Sequence, residues 1–94
     1  MGYVPPRYII TVYKRELSYP KKIIFFLNKA HFTSNELVSN ILNRDGVIDG
    51  VEIHRRKQII CSVLCRLVGC GYIHKNLIDN KTGRYSLNYS MFGT

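Results

Sequence analysis

The chain has 94 residues, 14 Lys plus Arg against 6 Asp plus Glu, a formal net charge of +8 and a sequence pI near 9.7. That length makes one domain with one core, and a charge excess of this sign points to an anionic partner, nucleic acid or membrane headgroups. No apolar run reaches the roughly 18 residues of a membrane span, and MGYVPPRYIITVYKRE has neither the layout of a secretory signal nor the Ser or Thr that a myristoylation signal carries after Gly2, so an intracellular protein without membrane attachment is expected.

Residues 1 to 19 are expected to form an N-terminal arm or strand, and residues 20 to 94 the folded domain. In the arm, Pro5 and Pro6 precede RYIITVY, a β-branched and aromatic run that suits a short strand and equally an arm. The segment SYPKKIIFFLNKAH comes next, with Ser18 or Tyr19 before Pro20 and with Ile23, Ile24 and Leu27 at helical spacing. It predicts a first helix over about 20–31, whose Phe25–Phe26 pair reads as core with one ring near the surface or in a dimer contact.

FTSNELVSNILNRDG holds the clearest local signal. Thr33 and Glu36 make a T-x-x-E capping box, with Phe32 and Leu37 as the hydrophobic staple. Leu37, Val38, Ile41 and Leu42 form one stripe and Asp45-Gly46 stops the helix, which is predicted over about 34–43.

A third and longer helix opens with IDGVEIHRRKQII and runs to Gly69 or Gly71. Asp49 is its cap, Glu52 completes a capping-box-like pair, and Ile48 with Ile53 stands where a staple would clamp the start. An alternative leaves residues 51 to 54 as a short strand or extended turn, which takes His54 off the helix face. Ile53, Ile60, Val63, Leu64 and Leu67 face inward. At about 100° per residue, His54, Arg55, Gln58, Ser62 and Arg66 then share the opposite side, with Arg56 and Lys57 at its flanks. Positive side chains near a helix start gain nothing from the macrodipole, so this row is expected to face an anion.

GYIHKNLIDNKTGRYSLNYSM predicts a hairpin, strands over about 72–78 and 84–90 around a D-N-K-T-G turn, with Lys75, Lys81 and Arg84 on its tip and flanks. Tyr72, Tyr85 and Tyr89 could form a base-stacking platform, but at strand positions beside Ile73, Leu77 and Leu87 they are expected to cover the core. There is no internal repeat and no low-complexity tract.

Chemistry-bearing constellations are sparse. Cys61, Cys65 and Cys70 lack the C-x-x-C element and fourth ligand of a zinc or iron-sulfur site, unless His54 or His74 is drafted. Cys61 reads as a small buried hydrophobe, whereas Cys65 is placed to pair between subunits or with Cys70. His31, His54 and His74 are scattered. No Ser-His-Asp order, carboxylate pair or phosphate-cradling glycine loop occurs, so neither an enzyme nor a cofactor is expected.

Two short capped helices, a longer helix ending SVLCRLVGCGYI and a basic hairpin resemble the winged helix-turn-helix family. The matching residues are Val63-Leu64, Arg66-Leu67 and Gly71-Tyr72-Ile73, followed by the return strand Gly83-Arg84-Tyr85-Ser86-Leu87, and the likeness covers about residues 20 to 90. The segment from Arg44 to Gly50 is longer than a simple helix-turn-helix turn, and about 20 residues is long for a recognition helix. The resemblance, which extends to small basic regulators of archaea and their viruses, implies an α+β fold with a third helix in the DNA major groove and a wing on the backbone. By position it implies base-facing roles for Arg55, Gln58 and Ser62, and phosphate contacts for His54, Arg56, Lys57, Arg66, Lys75, Lys81 and Arg84. It further implies a sequence-specific double-stranded DNA-binding transcriptional regulator, working as a homodimer through residues 3 to 17 because two-fold operators need two reading helices. Winged domains also serve as protein-interaction modules, and non-specific nucleic-acid binding is the third possibility.

Overall fold

In the computed structural model, which describes residues 8–78 and 82–92, the elements run α1 (Tyr19–Leu27), β1 (Phe32–Thr33), α2 (Ser34–Asp45), α3 (Gly50–Gly69), β2 (Ile73–Leu77), β3 (Gly83–Leu87) and a 3₁₀ turn over Tyr89–Met91. Among the described residues this is a small α+β architecture, three helices and one antiparallel sheet of order β1-β3-β2.

Helix α1 stops at Leu27, four residues before the end its sequence predicts. The reason is tertiary: Phe32 and Thr33 must be extended to pair with Tyr85 and Arg84 of β3, and the chain unwinds through Asn28–His31 to reach that register. Helix α2 begins as expected. Thr33 Oγ1 accepts from the Glu36 amide at 3.2 Å and Glu36 Oε1 accepts from the Thr33 amide at 2.8 Å, which satisfies two amides that the helix itself leaves unpaired. The Thr33 amide donating to the Glu36 carboxylate holds its pKa below the usual range, so the box stays made until the pH falls into the acid range.

Two glycines turn the chain at the helix ends. Gly46, at φ 73° and ψ 27°, follows α2, with the Gly46 amide on Asn43 O and the Val47 amide on Leu42 O at 3.0 Å. Gly71, at φ 85°, repeats the pattern after α3, with Gly71 N–H on Val68 O and Tyr72 N–H on Leu67 O, both at 3.0 Å. These are Schellman closures, which need a left-handed residue at that point. A Cβ on Gly71 or Gly69 would meet nothing within 4 Å, so substitution isolates the backbone effect. Gly71→Ala is expected to destabilise the protein by about 1–2 kcal/mol, while Gly69→Ala, in right-handed helix, stabilises it by about 0.5 kcal/mol. Urea midpoints of the two variants shifting in the same direction would contradict this account.

The core is continuous. Lys22 through Leu27 of α1 are all buried, and α1 packs against α2, α3 and β3. Ile23, Ile24, Leu37, Ile41, Ile60, Leu64, Leu67 and Ile73 are at most 2% exposed. Both Phe25 and Phe26 are buried, with rings 5.2 Å apart edge to face, so neither ring lies at the surface as one was expected to. Tyr72 and Tyr85 cover the core as expected, but Tyr89 is 58% exposed. The predicted second strand ends at Leu87 rather than 90. Asn88 there leaves the ladder, its amide donating to Tyr72 O and its side chain to Gly71 O at 2.8 Å, and the chain turns into the 3₁₀ segment.

In the described part of the arm, residues 8 to 17 form no strand. They pack as an irregular segment, burying Ile10 and bringing the Tyr13 ring 5.4 Å from Phe25 and 5.5 Å from Phe26. A buried ion pair fastens this segment. Lys22 Nζ meets Asp45 Oδ2 with side chains 5% and 6% exposed, the Tyr13 hydroxyl donates to Asp45 Oδ1 at 2.6 Å, and Arg15 donates to the Asp45 carbonyl at 2.7 Å. Burial first, and then the Asp45 carboxylate, push the Tyr13 phenol above its ordinary range, so it remains a proton donor at neutral pH. Asp45, expected only as a helix stop, is the hub that joins arm, α1 and α2.

Candidate functional site

The segment between α2 and α3 is Gly46-Val47-Ile48-Asp49, because α2 runs two residues beyond its predicted end and α3 begins at Gly50. Asp49 caps α3 by accepting from the Glu52 amide at 3.0 Å. The return half of that capping pair is replaced: the Glu52 carboxylate takes Arg56 Nε at 3.1 Å and Arg55 at 3.2 Å instead. Nor does the staple form, since Ile48 is 91% exposed; the turn points it away from Ile53. Residues 51 to 54 are helical, which keeps His54 on the helix.

The outer face of α3 is as the periodicity predicts. His54, Arg55, Gln58, Ser62 and Arg66 are all exposed, opposite the buried Ile60, Leu64 and Leu67. Arg55, Gln58, Ser62 and Arg66 border one open depression, together with Ile59 and Val63. His54 and Gln58 are neighbours, Nε2 to Nε2 at 3.3 Å. Glu52 places a negative charge at one end of this face, but two guanidiniums neutralise it, and the hydrogen bond from Arg56, ahead of that from Arg55, keeps it ionised by lowering its pKa.

Four of the expected phosphate contacts lie off this outer face. Arg56 is half-buried, bonded to Glu52 and, through Nη1, to the Tyr19 hydroxyl at 3.1 Å; it ties α3 to α1 and is not presented outward. Lys57 is exposed but leaves the helix about 100° round from Gln58. In the hairpin, Lys75 pairs in register with Tyr85 and Arg84 with Asn76, so strand alternation sends the two cations to opposite faces. The Lys75 ammonium lies 5.8 Å from the Tyr85 ring centre, and its stem crosses Gly83, where a Cβ would come within 2.6 Å of it. Arg84 instead faces the start of α2, where its charge helps lower the Glu36 pKa. Lys81 lies outside the described residues, as do residues 3 to 7 of the expected dimer element.

Cys65 and Cys70 are exposed free thiols, and Cys61 is half-buried against the core. The expected pairing of Cys65 with Cys70 is not made. Five steps of helical rise separate their Cα atoms by roughly 7.5 Å along the axis, beyond the span a disulfide bridges. Among the described residues no three His, Cys, Asp or Glu side chains gather as a metal-ligand group, and no helix is long and apolar enough to cross a membrane.

Comparison with known proteins returned no matching family model, no matching curated protein and no matching solved structure. The class defined here is a small basic α+β protein with an exposed polar helix face and a C-terminal hairpin.

The sequence pattern missed Ile59. The outer face is read from polar side chains alone, although Ile59 stands about 100° from the middle of the buried stripe of Ile60, Leu64 and Leu67. Its angle was the available signal.

Proposed function

We propose that the protein is a winged helix-turn-helix DNA-binding protein acting inside the cell, a non-enzymatic transcriptional regulator that places α3 in the major groove of double-stranded DNA and uses the β2–β3 hairpin as its wing. The observation that carries this reading is the outer face of α3, where Arg55, Gln58, Ser62 and Arg66 stand exposed side by side on a chain of net charge +8. Helix α3 rests on α1 and α2 through its opposite stripe, so the face is held rigidly outward. The four-residue turn 46–49, with Gly46 at its start, has the length common in helix-turn-helix units.

Arg55 and Gln58 are the base readers in this proposal, since a guanidinium suits guanine and a carboxamide suits adenine in the major groove. Ser62 is a further base contact; His54, Lys57, Arg66 and the hairpin cations hold phosphates, which position the protein without reading sequence. A two-fold operator needs two copies of α3. The protein is accordingly proposed to act as a homodimer, with Tyr8 and Val12, 56% and 62% exposed on the arm, as the apolar surface for that contact.

Selection from a random double-stranded DNA library at physiological salt tests the reading. An enriched palindromic motif is the expected result. Retained DNA without a motif would favour architectural binding, and no retained DNA would favour an acidic protein partner. On the selected duplex, Arg55→Ala and Gln58→Ala are each expected to lose about 1–3 kcal/mol of discrimination at one base pair, whereas Lys57→Ala weakens all sequences equally. Uniform loss from all three would remove the base-reading role.

A further inference from the structure

Ile59 is 42% exposed, while its neighbour Ile60 is fully buried. Ile59 stands outside the core cluster and its packed neighbours, so much of its side chain faces solvent. It lies in the shallow depression along α3, where Ile59 and the half-buried Val63, one helical turn apart, form an apolar floor. The rim is polar and cationic: Arg55 and Arg66 at the ends, Gln58 and Ser62 along one side. The site is open and built from a single helix, too shallow to enclose a small molecule, and its rim suits an anionic surface that offers one small apolar group between hydrogen-bonding edges.

The major groove offers such a surface, because the C5-methyl of thymine is the apolar group among the donors and acceptors of its base edges. Resting on the DNA-binding reading above, we infer that Ile59, supported by Val63, reads the C5-methyl of a thymine. Gln58 precedes Ile59 in the chain and takes the adenine of the same or the adjoining pair. Arg55 stands one turn before Ile59. The motif therefore contains either one A·T pair set by both contacts or two adjoining A·T pairs set by one each, flanked by the guanine that Arg55 takes.

The test replaces thymine by deoxyuridine, one A·T pair at a time, in the duplex recovered by selection. Deoxyuridine keeps Watson–Crick pairing and every groove donor and acceptor, and removes only the methyl. The wild-type protein is expected to lose about fourfold in affinity at one position, the contribution of one methylene-sized group, and at that position Ile59→Ala binds the two duplexes equally. Ile59 is half-exposed, so thermal melting of the variant should match wild type and exclude misfolding as the cause. Ile59→Gln provides the second variant and is expected to lose the thymine preference while retaining duplex binding. Wild-type binding that ignores deoxyuridine at every position, or a methyl effect that survives in Ile59→Ala, overturns the inference and leaves the DNA-binding reading standing. Retained duplex without any enriched thymine also overturns it, and failure to retain any duplex overturns both.

Discussion

Asp45→Ala is expected to destabilise the protein by about 3–5 kcal/mol, the usual consequence of leaving one member of a buried ion pair without its partner. The Lys22 ammonium has almost no access to water and takes Asp45 Oδ2 as its anion. The Tyr13 and Tyr19 ring centres also lie near it, 5.6 and 5.3 Å away, but these faces attract a cation only weakly by comparison. The same substitution deprives the Tyr13 hydroxyl of its acceptor. A domain this small has roughly 5–15 kcal/mol in total, so the variant should lose a large share of its stability. Replacing both partners with apolar residues, Lys22→Met with Asp45→Leu, should recover most of the loss, because paired removal leaves no orphaned charge. Urea unfolding of the single and double variants measures the difference. Trypsin supplies an independent reading, since loosening of the arm exposes the bonds after Lys14 and Arg15. A single variant within about 1 kcal/mol of wild type would show that the pair is not what holds the arm.

Raising salt from about 50 to 200 mM should weaken duplex binding by about a thousandfold. This follows if about six phosphates are neutralised, which gives a slope near −5 in log K against log salt. Arg56 is left out of that number because Glu52 and Tyr19 occupy its guanidinium. Arg56→Ala is accordingly expected to leave the slope unchanged and to loosen α3 from α1, whereas Lys57→Ala lowers the slope by about 1. A measured slope shallower than about −2 would mean that few phosphates are engaged, and would move the proposal toward an acidic protein surface.

What could be read from the sequence was what is local in the chain. The Thr33–Glu36 box and the apolar stripes of α2 and α3 all lie within one element, and each was legible as spacing. The polar face of α3 was legible for the same reason. The features that escaped depend on pairing at a distance. Lys22 and Asp45 are 23 residues apart, and Tyr13 is 32 from Asp45; a lysine in an apolar helix and an aspartate before a glycine each have an ordinary local explanation. β1 is two residues long and has no pattern of its own, because Phe32 and Thr33 already served as staple and cap. Arg56 and Lys57 looked equivalent beside Arg55. Helical rotation puts both at the flanks of the outer face, and only the fold shows that Tyr19 reaches Arg56. The Ile48 staple failed because an apolar residue at the right spacing still needs the turn to aim it inward.

The pairing of β1 with β3 has a consequence for synthesis. β1 lies between the first two helices, yet the strand it meets is made about fifty residues later, Phe32 with Tyr85 and Thr33 with Arg84. A nascent chain that has completed all three helices still lacks β3, which packs on α1 and α2 and carries the buried Tyr85 and Leu87. Closing so distant a contact is slow compared with forming a helical turn. The core is therefore completed, and the sheet closed, only after residues 83–87 have left the ribosome.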